Sequence, residues 1–122
     1  MSTLANVLVA LIAIEHLWFL VLEMFLWTGP IGRKTFRMDA HFAQKSKALA
    51  MNQGLYNGFL AAGLFWSLQA GPEIALQLKF FFLACVAVAG IFGGMTVSPS
   101  IMMVQALPAA LALVAVAFAA GF

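Results

Sequence analysis

The sequence predicts an all-α fold: a single-domain bundle of four transmembrane helices with both termini extracytoplasmic. Three observations carry that expectation. Of 122 residues, 65% are hydrophobic and only 8% are charged, whereas a soluble domain uses about 25% charged residues. So few polar groups cannot cover the surface of a chain this small in water. Four stretches, roughly 4–27, 47–69, 76–96 and 101–121, are apolar enough to supply the roughly 20 residues that a helix needs to cross a bilayer core. Finally, these runs lack dyad alternation, and only helices or closed barrels can span lipid.

The breaks between the runs are chemically coherent. "TGPIGRK" follows the first, "QAGPE" follows the second, and "SPS" at 98–100 separates the third from the fourth. Each joins Pro or Gly to polar residues that halt helices. Pro108 lies inside the fourth run, where its missing N–H should bend the helix. The first run reads as a retained span. "MSTLAN" carries no Lys or Arg, the run exceeds a signal core, and "WTGPIG" has no small-x-small cleavage pattern.

Orientation follows from the connections. Arg33, Lys34, Arg37, Lys45 and Lys47 lie between the first two runs, against Asp39 alone. The second connection offers Glu73 and Lys79, and the third carries no charge. Lys and Arg concentrate on the cytoplasmic side, so the long loop is expected inside. The net charge of +2 gives no reason to expect nucleic acid, because an anionic membrane surface explains a basic loop better. Trp27 and Trp66 fit interfacial belts. Asp39 is placed to cap a helical turn, "AHFAQKSKA", running into the second span. His41 reads as a solvated or interfacial residue. Cys85 is the only cysteine, which excludes an internal disulfide and reads as a packing residue.

Against this apolar background, "AIEHLWFLVLEMFLW" (13–27) carries Glu15, His16 and Glu23. A central acid costs about 2.5–3.5 kcal/mol on insertion scales, and each Leu, Ile, Val or Phe returns about 0.3–0.6. The first helix is therefore near break-even alone. Its acids must be buried by neighbours or carry protons. Intramembrane ionisable groups usually mark a pathway, relay or ligand. His16 and Glu23, seven apart, share one stripe with Phe19, Leu20 and Trp27, while Glu15 sits about 100° round.

The second run brings "MNQGLYNGFLAAG", with Asn52 and Tyr56 on one line and Gln53 and Asn57 on the next. In an antiparallel pair, Asn52 and Gln53 fall level with Glu23, and Tyr56 and Asn57 fall between the depths of Glu23 and His16. Gln105 of the fourth run enters about as far from the same surface. The expectation is a buried polar ligand or proton site of Glu15, His16, Glu23, Asn52, Gln53, Tyr56, Asn57 and Gln105, with Thr96, Ser98 and Ser100 near its mouth. The plainer alternative is interhelical glue, since such hydrogen bonds are worth only about 0.6 kcal/mol on average.

Ser46, Ala50, Gly54, Gly58 and Ala62 recur every fourth residue. Such a ribbon lets two backbones approach closely. Its partner stays open: Cys85, Ala89 and Gly93 of the third run, or a second copy in a homodimer. No metal site is expected, because Glu15 and His16 are adjacent rather than at i, i+3 or i, i+4. No cofactor is expected either: there is no phosphate-binding glycine loop, no Ser/His/Asp constellation and no CxxC.

The combination "EHLWFLVLEMFLW", "GRKTF", "NQGLYNGFLAAGL" and "VQALPAALAL" resembles a family of small bacterial four-helix integral membrane proteins known as a domain of unknown function, family thirteen-oh-four. The resemblance covers nearly the whole chain. It implies the four-helix fold and a bacterial inner-membrane address, and it brings no activity with it. It places the family's signature at the same eight polar positions.

Three functions compete on the sequence alone. The leading one is binding or proton-coupled transport of a small ligand, with Glu15 and Glu23 holding charge or protons, His16 tuning them, and the amides and Tyr56 orienting the ligand. The second is an intramembrane enzyme acting on a lipid-like substrate, with Glu15 and His16 as acid and base. The third is an assembly protein docking through the small-residue ribbon. Small multidrug transporters offer an architectural analogy only.

Overall fold

The computed structural model describes residues 2–122. It contains helices α1 (Thr3–Met24), α2 (Pro30–Thr35), α3 (Ala40–Gln69) and α4 (Pro72–Thr96), then a π-helical segment (Met102–Ala106) continued by α5 (Leu107–Ala119). No strand occurs among the described residues. Three helical stretches, Thr3–Met24, Pro72–Thr96 and Met102–Ala119, are long and apolar enough to cross a membrane. Their spanning windows are only 22–28% buried within the protein. Most of their apolar surface, including Leu4, Leu11, Trp18, Phe92 and Phe118, therefore faces outward, as a lipid environment requires.

The chain divides into two compact units, one formed by Met1–Ala13 with Ala62–Phe122 and the other by Ile14–Ala61. Helices α1 and α3 contribute to both.

Within the Ile14–Ala61 unit, the structure extends the helix expected at 47–69. α3 begins at Ala40 and runs 30 residues, about 45 Å at 1.5 Å per residue, well beyond a hydrocarbon core of about 30 Å. Its start is set by Asp39, whose Oδ1 accepts the Phe42 backbone N–H at 2.7 Å. Replacing that cap typically costs about 1 kcal/mol. Asp39→Ala should therefore lower the thermal midpoint modestly and speed amide exchange at Phe42 and Ala43. Unchanged exchange there would show the cap to be idle.

The basic loop before α3 also contains a short helix of its own. Pro30 opens α2 at a position where no N–H is needed. α2 ends with Arg37 at φ 54°, where Met38 N–H donates to Arg33 O at 2.8 Å and Arg37 N–H to Lys34 O at 3.4 Å. This is a Schellman-type closure with Arg at the left-handed position that glycine normally takes. Trp27 ties the loop to α3 by donating its indole N–H to Ser46 Oγ at 2.9 Å.

The other unit packs α4 against the π segment and α5. Gly90 marks the closest approach: a Cβ there would lie 2.5 Å from Ala106 N and 2.9 Å from its Cα. The π segment ends two residues before Pro108, the second residue of α5. Proline removes a backbone donor and its ring crowds the carbonyl four residues back, here Val104. A widened turn relieves that crowding. The disturbance expected from Pro108 thus takes the form of a π-helical turn over Met102–Ala106.

Candidate functional site

The buried positions of α1 include Ala5, Val9, Ile12 and His16, spaced at threes and fours. Glu23 continues this stripe seven residues beyond His16, half-buried. His16 is only 1% exposed and meets the Phe19 ring edge-on at 5.3 Å. On α3 the inward line runs Ala43, Ala50, Gly54, Asn57 and Ala61, with Asn57 half-buried and the others buried.

These two lines meet between Leu20 and Glu23 on one side and Gly54 and Gly58 on the other. A Cβ on Gly54 would fall 2.5 Å from Met24 Cγ, 3.1 Å from Glu23 Cβ and 3.2 Å from Leu20 O. A Cβ on Gly58 would fall 2.7 Å from Leu20 Cδ1. The missing side chains therefore allow a close approach of α1 and α3. In that approach, Asn57 Nδ2 donates a hydrogen bond to Glu23 Oε1. The glycines of the ribbon lie against α1, while Ser46 receives Trp27. Ala62 is exposed. Cys85 and Ala89 instead line an apolar surface groove with Phe81 and Phe92.

The remaining expected site residues are distributed differently. Glu15 is half-buried and forms no side-chain hydrogen bond or ion pair among the described residues. Asn52 and Gln53 are exposed, and Tyr56 is 55% exposed, leaning edge-on against Phe59 at 5.9 Å. A shared burial for these three with Glu23 is not what the structure shows. Gly54 centres the α1–α3 contact, and Gln53 and Tyr56 lie about 100° and 160° away from it around the helix axis. Asn52, also about 160° away, is on the outer flank too. Gln105 belongs to the other compact unit, half-buried within the π segment. Thr96 is committed locally, donating to Phe92 O at 2.7 Å, and Ser98 and Ser100 bond each other at 2.9 Å.

A second polar cluster was not singled out from the sequence. Lys79 is 2% exposed, and its Nζ donates to Asn6 Oδ1 at 2.7 Å. Ser67, 1% exposed, donates its hydroxyl to Leu64 O at 2.6 Å. All three residues line one cavity. The signal was present: Lys79 lies inside the third apolar run, where a charge is a site candidate by default. Reading it as part of the connection concealed it.

A family profile described as "Protein of unknown function (DUF1304)" matches residues 10–117. The chain belongs to this family. It is also similar to the "Uncharacterized protein YpaA" of Lactococcus lactis subsp. lactis (strain IL1403), with 27% identity over 116 residues, which covers 93% of this chain and 97% of that protein. No solved structure matches significantly. The family match embraces His16, Glu23, Gly54, Asn57 and Lys79, but begins after Asn6.

Proposed function

We propose that this family member is a four-span protein of the bacterial inner membrane. In this reading α3 is the additional span, the basic 33–47 region is cytoplasmic and both termini are outside. The protein binds a small cationic or hydrogen-bonding ligand at the Glu23–Asn57 pair and moves it in exchange for protons.

The observation supporting this reading is the Asn57 to Glu23 hydrogen bond across α1 and α3, made where two glycines bring the helices together. A carboxylate within a span needs a counter-charge or a proton. Cation and proton are therefore alternatives at one group, which is the elementary requirement for exchange. His16 lies two turns along the same stripe and supplies an imidazole. Glu15, with no hydrogen-bonded side-chain partner among the described residues, is free to carry a proton. Gln53, one turn before Asn57 on the same line of α3, offers its amide to a ligand approaching the pair, whereas Asn52 and Tyr56 face away from it.

The test is a proteoliposome assay with a pH-sensitive dye inside and a panel of small organic cations outside. Wild-type protein should couple uptake of at least one cation to proton efflux, and Glu23→Gln should abolish that coupling. Coupled flux that survives Glu23→Gln would overturn the role given to this carboxylate. Lipid turnover without vectorial movement would favour an intramembrane enzyme instead.

A further inference from the structure

The cavity around Lys79 lies within a single compact unit and is independent of the Glu23 site. It measures about 290 Å³ and is lined by Asn6, Ser67, Ala75, Leu76, Lys79 and Ala120, among others. That is the lower edge of the roughly 300–1,000 Å³ typical of ligand sites, suited to a headgroup or a small acid.

Its charge is incompletely balanced. A lysine is almost never fully buried without a partner, and an uncompensated buried charge is strongly unfavourable. Lys79 has a neutral partner, the Asn6 carbonyl oxygen, and forms no ion pair among the described residues. Glu73, the nearest acid in sequence, is exposed in the first turn of α4. Ala119 and Ala120 place the C-terminal end of α5 at the cavity wall, and Ser67, Leu68 and Ala70 that of α3. Each terminus, however, supplies only about half a negative charge, and the first turn of α4, at Pro72 and Ala75, offsets one of them.

Counting donors and acceptors defines the missing group. An ammonium has three protons and an amide nitrogen two. Asn6 Oδ1 takes one from Lys79, leaving two on Nζ and two on Asn6 Nδ2. Ser67 has given its proton to Leu64 O and presents lone pairs only. The complement is an anionic oxygen facing Lys79 and Asn6, with a hydroxyl directed at Ser67.

We propose that this cavity binds a small oxyanion that also carries a hydroxyl, the chemistry of a glycerol phosphate, whether free or as the headgroup of phosphatidylglycerol. Lys79 and the Asn6 amide hold the phosphate, and Ser67 accepts from the glycerol hydroxyl.

The full chain in nonionic detergent tests this by native mass spectrometry and thermal unfolding with three probes: glycerol 3-phosphate, phosphatidylglycerol and phosphatidylcholine. Wild-type protein should bind one of the first two, which distinguishes the free from the lipid source, and should bind phosphatidylcholine more weakly. Lys79→Met should weaken that binding about tenfold or more, the equivalent of one charge-assisted hydrogen bond, while Lys79→Arg retains most of it. Asn6→Asp guards against misfolding: it places a carboxylate against Lys79, so the unfolding temperature should hold or rise while binding is lost. Failure of wild-type protein to bind either anionic probe would overturn the proposal. So would binding at the wild-type level by both Lys79→Met and Asn6→Asp, which would leave Lys79 as a strut between α1 and α4.

Discussion

Gly90→Ala should be among the most damaging single methyls that can be added to this protein, with Gly32, whose Cβ would fall 2.1 Å from Leu26 O, the one tighter backbone contact. At Gly90 the new carbon would meet the backbone nitrogen and Cα of Ala106 at 2.5 and 2.9 Å, and backbone cannot rotate away as a side chain can. Overpacking generally costs about 1–3 kcal/mol, and a backbone-to-backbone clash belongs at the upper end, about 3 kcal/mol. The unfolding midpoint in detergent should fall sharply, or the protein should fail to accumulate. Two controls isolate the cause. Gly58→Ala meets only the flexible tip of Leu20, and Gly71→Ala meets nothing within 4 Å, so both should fall far short of the Gly90 effect. Equal loss at all three would mean that the added methyl acts through something other than the α4–π-segment contact, since Ala favours a helix over Gly.

The second large effect is an asymmetry across the Glu23–Asn57 pair. Asn57→Leu removes the amide that donates to Glu23 and leaves an acid facing apolar surroundings. A hydrogen bond to a charged group is worth about 1.5–3 kcal/mol, while interhelical bonds in membranes average about 0.6. An intermediate loss of about 2 kcal/mol is expected. Glu23→Leu strands an amide, at about 1–3 kcal/mol, but it also removes an insertion cost of about 2.5–3.5. It should be close to neutral in stability although it destroys the proposed function. The double variant should be more stable than Asn57→Leu alone. A double-mutant cycle by thermal unfolding measures the coupling, and additive single effects would remove the pair as an energetic unit.

Much of the helical pattern was legible because hydropathy and helix-halting residues act locally. Asp39 as a cap and the break at Gly71–Pro72 are of this kind. Inter-helix facing was legible only in part. Seven-residue spacing correctly placed His16 and Glu23 on one stripe, since that depends on one helix alone. Which face of α3 turns inward depends on where two helices touch. Gly54 sets that contact, and it turns Asn52, Gln53 and Tyr56 to the flank. A common membrane depth was mistaken for a common direction. Lys79 was obscured by position: lying near a run's boundary, it read as a connection residue, although Asn6, 73 residues away, lets the protein hold it indoors. The π segment had a visible cause in Pro108, but the turn that would absorb the strain did not.

The polarity of α3 has a consequence for how the protein is made. α3 is absent from the helices apolar enough to cross a membrane unaided, and α1 is near break-even. Asn57 follows Glu23 by 34 residues, so at roughly 5–20 residues per second it leaves the ribosome about 2–7 seconds later. Under the four-span reading, the first segment must wait that long at the insertion channel and then partition into lipid together with its successor as a paired hairpin. Biogenesis would therefore be sensitive to elongation rate across the codons between them.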